Sequence, residues 1–206
     1  TMPFPTYAVS TELDAVNQIL SSVGQAPVTT LDLQNPEVGI VVNTLREVNR
    51  QVQAEGWIFN TERGYTFTPD STTNEIVYPS NVLQLDTNRQ QHFDKYDPIK
   101  RNGKFYDRLN HTYQWDEEVK ADVVWFFDFT DVPAAIQTYI VARAARMCAT
   151  KMIGDKEINE LLKEQELYCR AAALEYECNQ GDYTMFGFRD GENYYNSYQP
   201  FQALAR

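Results

Sequence analysis

The segment TDVPAAIQTYIVARAARMCATKMIGD, residues 130–155, decides how this chain folds. Thr130 or Asp131 is predicted to cap a helix that has Pro133 in its first turn. Gly154 is predicted to end this helix in a left-handed turn, and Asp155 starts a fourth helix at once. With so short a connection, the two helices are expected to fold back on each other as an antiparallel hairpin.

Both helices of this hairpin carry apolar residues at helical spacing. One face of the third helix has Ile136, Ile140, Ala144 and Met147. Its neighbouring faces have alanines that would let partner helices approach closely, namely Ala142, Ala145 and Ala149. The apolar residues of the fourth helix are Ile158, Leu161, Leu162, Tyr168, Ala172 and Tyr176. A hairpin with several apolar faces needs further elements to pack against.

The start of the chain offers a second helical hairpin. Ser10 or Thr11 is predicted to cap a first helix that Gly24 ends, and Asn35-Pro36 to begin a second helix that Gly56 ends. The apolar stripes are Leu13, Val16, Leu20 and Val23 in the first helix, and Val38, Val41, Leu45, Val48 and Val52 in the second. The polar side of the second helix is predicted to hold Asn43, Arg46, Glu47, Arg50 and Gln53.

Between the two hairpins the pattern changes to short strands. Strands are predicted at residues 57–59, 65–68, 75–78 and 82–85, separated by turn residues. Asn102-Gly103 predicts a type I′ hairpin within residues 99–106, because both residues tolerate positive φ. The last strand, residues 119–129, becomes apolar on both sides, which predicts a central or covered strand. Antiparallel pairing is expected because no crossover helices fit between the strands.

These patterns together predict an α+β fold. Residues 1–56 and 130–180 are expected to form a discontinuous domain like a four-helix bundle, built from the N- and C-terminal helical hairpins. An antiparallel β domain, residues 57–129, would be inserted into it. An extended C-terminal tail, residues 181–206, would follow as a docking segment.

Composition narrows the functional classes. The 206 residues carry a formal net charge of −11, which argues against a protein that coats nucleic acid or anionic membrane. The N-terminal residues have no signal-peptide pattern, and no apolar run approaches the roughly 20 residues of a membrane span. We therefore expect a chain made in a reducing cytoplasm. Its three cysteines, Cys148, Cys169 and Cys178, are predicted to be reduced core thiols.

The C-terminal segment is rich in aromatic residues without a helical or strand period. These are Tyr183, Phe186, Phe188, Tyr194, Tyr195, Tyr198 and Phe201. A disordered terminus is one interpretation of such a segment. Disordered tails are usually poor in aromatic residues, however, whereas tyrosine and phenylalanine serve as anchors in binding grooves. The pattern favours a docking strap that reaches another molecule.

Signals for catalysis are sparse. His92 and His111 lack ligand neighbours at metal spacing, so neither a metal nor a cofactor is expected. The basic stretch from Lys95 to Arg108 is interleaved with acids, which does not favour specific DNA binding. Trp115-Asp-Glu-Glu118 combines carboxylates with an aromatic platform, as polysaccharide-degrading enzymes do, and this enzyme is the alternative function. An acidic turn between two strands is the simpler interpretation, so no catalytic residue is predicted.

Five stretches of the chain resemble the tail tubular protein A family, the head-to-tail adaptors of short-tailed, T7-like bacteriophages. They are ELDAVNQILSSVGQAPVTTL (12–31), VNRQVQAEGWIFN (48–60), NGKFYDR (102–108), FTDVP (129–133) and YECNQGDY (176–183). The resemblance runs through nearly the whole chain in the family's order. It implies a helical domain that carries a β domain, in agreement with the pattern above.

The resemblance also implies a place in the virion. A dodecameric ring would lie beneath the portal protein, with the tail nozzle (tubular protein B) and the tail fibres below, and DNA would pass through without specific binding. The aromatic segment would then dock on the portal. The β domain would face the nozzle, with its hairpin at Arg101, Asn102 and Gly103. The alanine faces of the third helix become candidates for contacts between subunits.

Overall fold

The structure is a computed structural model that describes residues 11–87 and 95–181. Four α-helices lie in this part of the chain: α1 (Glu12–Ser22), α2 (Pro36–Gln53), α3 (Ala134–Met152) and α4 (Lys156–Gly181). Five strands lie between α2 and α3 in the chain: β1 (Thr61–Phe67), β2 (Val82–Asp86), β3 (Pro98–Arg101), β4 (Lys104–Asp107) and β5 (Val119–Trp125). The mixed α+β class is thereby confirmed.

The first two helices begin where local signals place them. Thr11 caps α1 in a capping box, since its hydroxyl accepts from the amide of Asp14 and the Asp14 carboxylate accepts from the amide of Thr11. Asn35 caps α2 by accepting from the amide of Glu37, and Pro36 occupies the first turn. In both cases the cap satisfies an amide that the helix cannot satisfy itself.

The start of α3 differs from the prediction. Thr130 and Asp131 belong to a short 3₁₀ helix, Phe129–Asp131, and cannot cap α3 because Val132 and Pro133 separate them from it. Pro133 takes the cap position in an extended conformation and makes no side-chain cap bond. The other end is as predicted: Gly154 has a φ of 71°, and its amide donates to the carbonyl of Ala149 at 3.0 Å.

Helix α3 is the central helix. It packs against α1, α2 and α4, and side chains from all four helices join one hydrophobic cluster. The alanines predicted to face other subunits are buried inside this cluster instead: Ala142, Ala145 and Ala149. Their small size lets three helices of the same chain approach α3. They are therefore not available for contacts between subunits.

The strands form two antiparallel sheets. The larger has the order β1-β5-β2, so β5 is central as its apolar sequence predicts. The smaller pairs β3 with β4 around a turn in which Asn102 and Gly103 have φ values of 52° and 71°. This confirms the predicted hairpin. A second hydrophobic cluster, centred on the fully buried Phe105, lies under these sheets.

Two predicted strands are wrong. Residues 57–59 enter a 3₁₀ helix, Ile58–Asn60, because the Asn60 side chain accepts from the amide of Trp57 at 2.9 Å. The indole of Trp57 donates to the carbonyl of Val52 and stays in the helical core. Residues 75–78 form only isolated bridges, Glu75 with Gln114 and Val77 with Lys104.

Candidate functional site

The junction between helices and strands determines how the surfaces of the two parts are held relative to each other. Gln53 was expected on the polar side of α2 but is fully buried. Its side chain accepts from the amide of Phe127 and donates to the carbonyl of the same residue, each at 2.9 Å. Asn60 donates to the carbonyls of Gln53 and Trp125. The end of α2 is thereby fixed to the end of β5.

The predicted nozzle-facing hairpin is an exposed, braced turn. Arg101, Asn102 and Gly103 are all exposed. The Arg101 guanidinium lies 4.1 Å from the centre of the Tyr106 ring, and the Asn102 amide donates to the Tyr113 hydroxyl at 3.1 Å. These contacts with two tyrosines hold the turn in one conformation. The exposed tip therefore offers the Arg101 cation and the Asn102 amide to a partner from fixed positions.

The acidic turn lacks the exposed tryptophan platform that its sequence suggested. Trp115 is buried against Phe105 and is not available as a platform for a sugar ring. Glu117 pairs with Lys95 at 3.1 Å, and Asp116 and Glu118 are exposed. The simpler interpretation of this stretch, an acidic turn with its tryptophan packed in the sheet, therefore describes its geometry.

The inner side of α4 is fixed to the rest of the chain by polar contacts. Glu166 pairs with Arg146 of α3. Arg170 donates to the Tyr139 hydroxyl at 2.6 Å and pairs with Glu55 at 3.3 Å, and the hydroxyl bond and the Glu55 charge raise the pKa of its guanidinium. These contacts determine which side of α4 faces solvent.

That solvent side carries apolar residues among charged ones, and the sequence prediction named Leu161, Tyr168 and Ala172 as apolar residues of this helix without separating exposed positions from buried ones. The structure buries Leu162, Cys169 and Ala173. Leu167 and Tyr168 expose 57% and 78% of their surface. We call the exposed apolar set the outer face of α4: Leu161, Leu167, Tyr168, Ala171, Ala172, Leu174 and Cys178. The sequence indicates such a face through apolar residues on two sides of the same helix, since only one side can pack on α3.

The outer face is most continuous in the second half of α4. Leu167, Ala171, Leu174 and Cys178 follow one another at steps of four, three and four residues, the spacing of a seam that takes another helix. Cys178 is thus exposed, which corrects its assignment to the core. Cys148 and Cys169 are buried free thiols as predicted, and burial raises the pKa of both.

The described part of the chain, residues 11–87 and 95–181, offers neither a metal site nor a membrane-spanning helix. No group of three or more His, Cys, Asp or Glu side chains in these ranges is placed to hold a metal ion. None of the described helices is both long and apolar enough to cross a membrane. The aromatic residues predicted to dock on the portal, from Tyr183 to Phe201, lie outside the described residues, as does His92.

Comparison with known proteins gives two matches. A family model described as tail tubular protein matches residues 13–183. Tail tubular protein A of Klebsiella phage KP34 is 29% identical over 174 residues, which cover 82% of this chain and 88% of that protein. The matched region contains all four helices and both sheets.

Proposed function

This chain belongs to the tail tubular protein family and is a structural protein of the bacteriophage virion tail, and we propose that it forms the head-to-tail adaptor. As a virion tail component it assembles with other proteins of the particle. In the proposal it forms a dodecameric ring beneath the portal protein. The ring joins the portal to the tail nozzle and fibres, and it forms part of the channel through which DNA is ejected.

The observation that carries this proposal is the outer face of α4. Soluble monomers rarely expose a large contiguous apolar patch, and an exposed apolar line such as Leu167, Ala171, Leu174 and Cys178 supports a contact with another protein. The face lies on the helical part of the chain, while the nozzle-facing hairpin lies on the β part. One chain would thus have one surface for neighbouring copies in the ring and a separate surface for the nozzle along the tail axis.

We assign the two parts of the chain different roles in the ring. Residues 1–56 and 130–180 act as a bundle-like domain that makes the ring wall, and residues 57–129 act as an inserted domain that faces the nozzle. Two separate hydrophobic clusters, one of helices and one of strands, support this division. The amide contacts at Gln53 and Asn60 would hold the two domains at one angle in every subunit.

Residues 181–206 are assigned to the portal contact. The aromatic residues from Tyr183 to Phe201 would dock in grooves of the portal, and repetition around the ring would multiply weak contacts into firm attachment. The net charge of −11 suits a conduit, because a wall of like charge lets DNA pass without holding it. The tip Arg101–Gly103 would contact the nozzle protein.

Electron microscopy of reconstituted tails tests the order of the parts. The chain is mixed with portal rings alone, with nozzle protein alone, and with both. The proposal expects a disc on the portal, and a three-part stack in which this chain separates portal from nozzle. A nozzle that binds the portal directly while this chain stays in solution would overturn the adaptor role.

A further inference from the structure

Helices α4 and α2 each have a side that faces away from the helices they pack on. Helix α4 packs mainly on α3, while α2 packs on α3 and α1. Each of the two helices therefore leaves one line of side chains uncovered by the described residues. On α4 this line is the outer face already defined, and the exposed Glu164 lies between Leu161 and Leu167.

The uncovered line of α2 has a different composition. It contains Pro36, Ile40, Asn43, Glu47 and Arg50, all exposed, and of these Glu47 also lies 3.8 Å from the ammonium of Lys151 on α3. Ile40 exposes 41% of its surface, although it sits in a helix whose other aliphatic side chains are buried. Within residues 11–87 and 95–181 neither Arg50 nor Glu164 forms an ion pair. An uncovered aliphatic side chain and a free cation thus lie on α2.

The spacing on the two lines agrees. On α2, Ile40 and Arg50 are ten residues apart, and on α4, Glu164 and Leu174 are also ten residues apart. At about 1.5 Å per residue each pair spans roughly 15 Å. The order is apolar then basic on α2, and acidic then apolar on α4. An antiparallel pairing of the two helices therefore sets Ile40 against Leu174 and Arg50 against Glu164 together.

We propose that α4 of one copy packs antiparallel against α2 of the next copy, with Leu174 on Ile40 and Glu164 paired with Arg50. This rests on the proposed ring and names the surfaces that close it. Because the two surfaces are different, each copy contacts one neighbour through α2 and the other neighbour through α4. Head-to-tail contacts of this kind can generate a closed ring. In this register Cys178 lies at the start of α2, near Pro36 of the neighbour.

A second copy is the occupant that the observations favour. The seam spacing of four, three and four residues calls for a helix. The line on α2 has matching spacing and offers the cation Arg50 at the position that would face Glu164. Within one copy α2 and α4 each pack on α3 rather than on each other, so one copy cannot bring its own α2 onto its own α4 while that packing persists.

Charge reversal tests the pairing directly. Arg50→Glu and Glu164→Arg each place like charges across the contact, and each is expected to weaken assembly about tenfold per contact. The double variant restores the attraction and should recover the wild-type yield of rings on the portal. Val77→Glu, at an exposed aliphatic residue of the β part, is the matched control and should assemble normally. Circular dichroism confirms that each variant is folded.

The exposed thiol gives a second readout on the unaltered protein. Cys178 should react with a maleimide in the unassembled chain and become at least about tenfold slower in the ring, because the neighbouring α2 covers it. Cys148 and Cys169 are buried in both states.

The outcomes separate this inference from the ring itself. Rings that tolerate both single reversals, or that leave Cys178 fully reactive, overturn the α2–α4 contact while the adaptor remains. A wild-type chain that forms no ring with the portal overturns the adaptor, and this contact with it.

Discussion

Gln53 links the helical and β parts of the chain with a single side-chain amide. Its three hydrogen bonds, two to the Phe127 backbone and one to Asn49 at 2.8 Å, are satisfied in a site with no access to water. Buried polar groups cost little when paired and much when one partner is removed. The residue therefore acts as a polar clamp within an apolar core.

Replacing Gln53 by Leu is expected to lower the free energy of unfolding by about 3 kcal/mol, because the Phe127 amide and carbonyl lose their partner. Chemical denaturation measures the change. Gln51→Leu, an exposed position on the same helix, is the control and should cost under about 1 kcal/mol. Equal losses of unfolding free energy at the two positions would show that the hydrogen bonds of Gln53 do not stabilise the fold more than those of an exposed glutamine.

Glu177 makes stability depend on pH. Its carboxylate accepts from the amide of Ile58 at 2.6 Å, but partial burial outweighs this bond and raises its pKa above the ordinary 4.5. The folded state thus holds the proton more tightly than the unfolded state. Its stabilising contribution is complete below pH 4.5 and is lost as the pH rises through the folded pKa.

Glu177→Gln keeps an acceptor for Ile58 and removes the charge. Relative to wild type, its melting temperature is expected to be higher at pH 7, and this advantage should shrink as the pH falls below 4.5. Thermal melts across this pH range check the sign. An advantage that grows in acid would show that the hydrogen bond, not burial, dominates at this residue.

Among the elements, α3 has the least spare room because three helices pack on it. Ala144 is fully buried in the cluster. Ala144→Leu should therefore destabilise the fold by about 1–3 kcal/mol through overpacking. Ala134→Leu, at the exposed start of the same helix, is the control. A neutral Ala144→Leu in denaturant melts would mean that the neighbouring helices are not packed tightly on α3.

The sequence predicts elements best where the signal is local. The cap at Asn35, the turn at Asn102-Gly103 and the left-handed Gly154 each depend on neighbours a few residues away, and the structure confirms all three. Gln53 could not be predicted as buried, because its partner Phe127 is 74 residues distant. Residues 57–59 have strand-forming side chains, but the Asn60 cap and the Trp57 anchor override that preference.

The candidate site was predicted less well than the fold. On α4, apolar residues occur around so much of the helix that periodicity alone cannot say which of them face α3. Contacts such as Arg170 with Tyr139 decide it, and they place Leu161 and Tyr168 outside. In the same way, tertiary packing buries Ala142, Ala145 and Ala149 in the core, although the sequence suggested that they face other subunits.

For the whole molecule, membership of the tail tubular protein family places the chain in the virion tail. The proposals add two contacts, one with the portal and one between neighbouring copies in the ring.

Truncation after Gly181 separates the portal contact from the contact between copies. It removes every proposed portal-docking aromatic but leaves α2 and α4 intact. Portal affinity should fall by at least about 100-fold, because the multivalent contact is lost. Undiminished binding in a sedimentation assay would assign portal attachment to the described domains instead.

The most direct test of the adaptor is the mass of the complex between the chain and its portal, measured by native mass spectrometry. The account predicts a dodecamer of the 23.8 kDa chain added to each portal ring. Portal rings that gain no mass, or that gain a variable number of copies without a preferred stoichiometry, would contradict it.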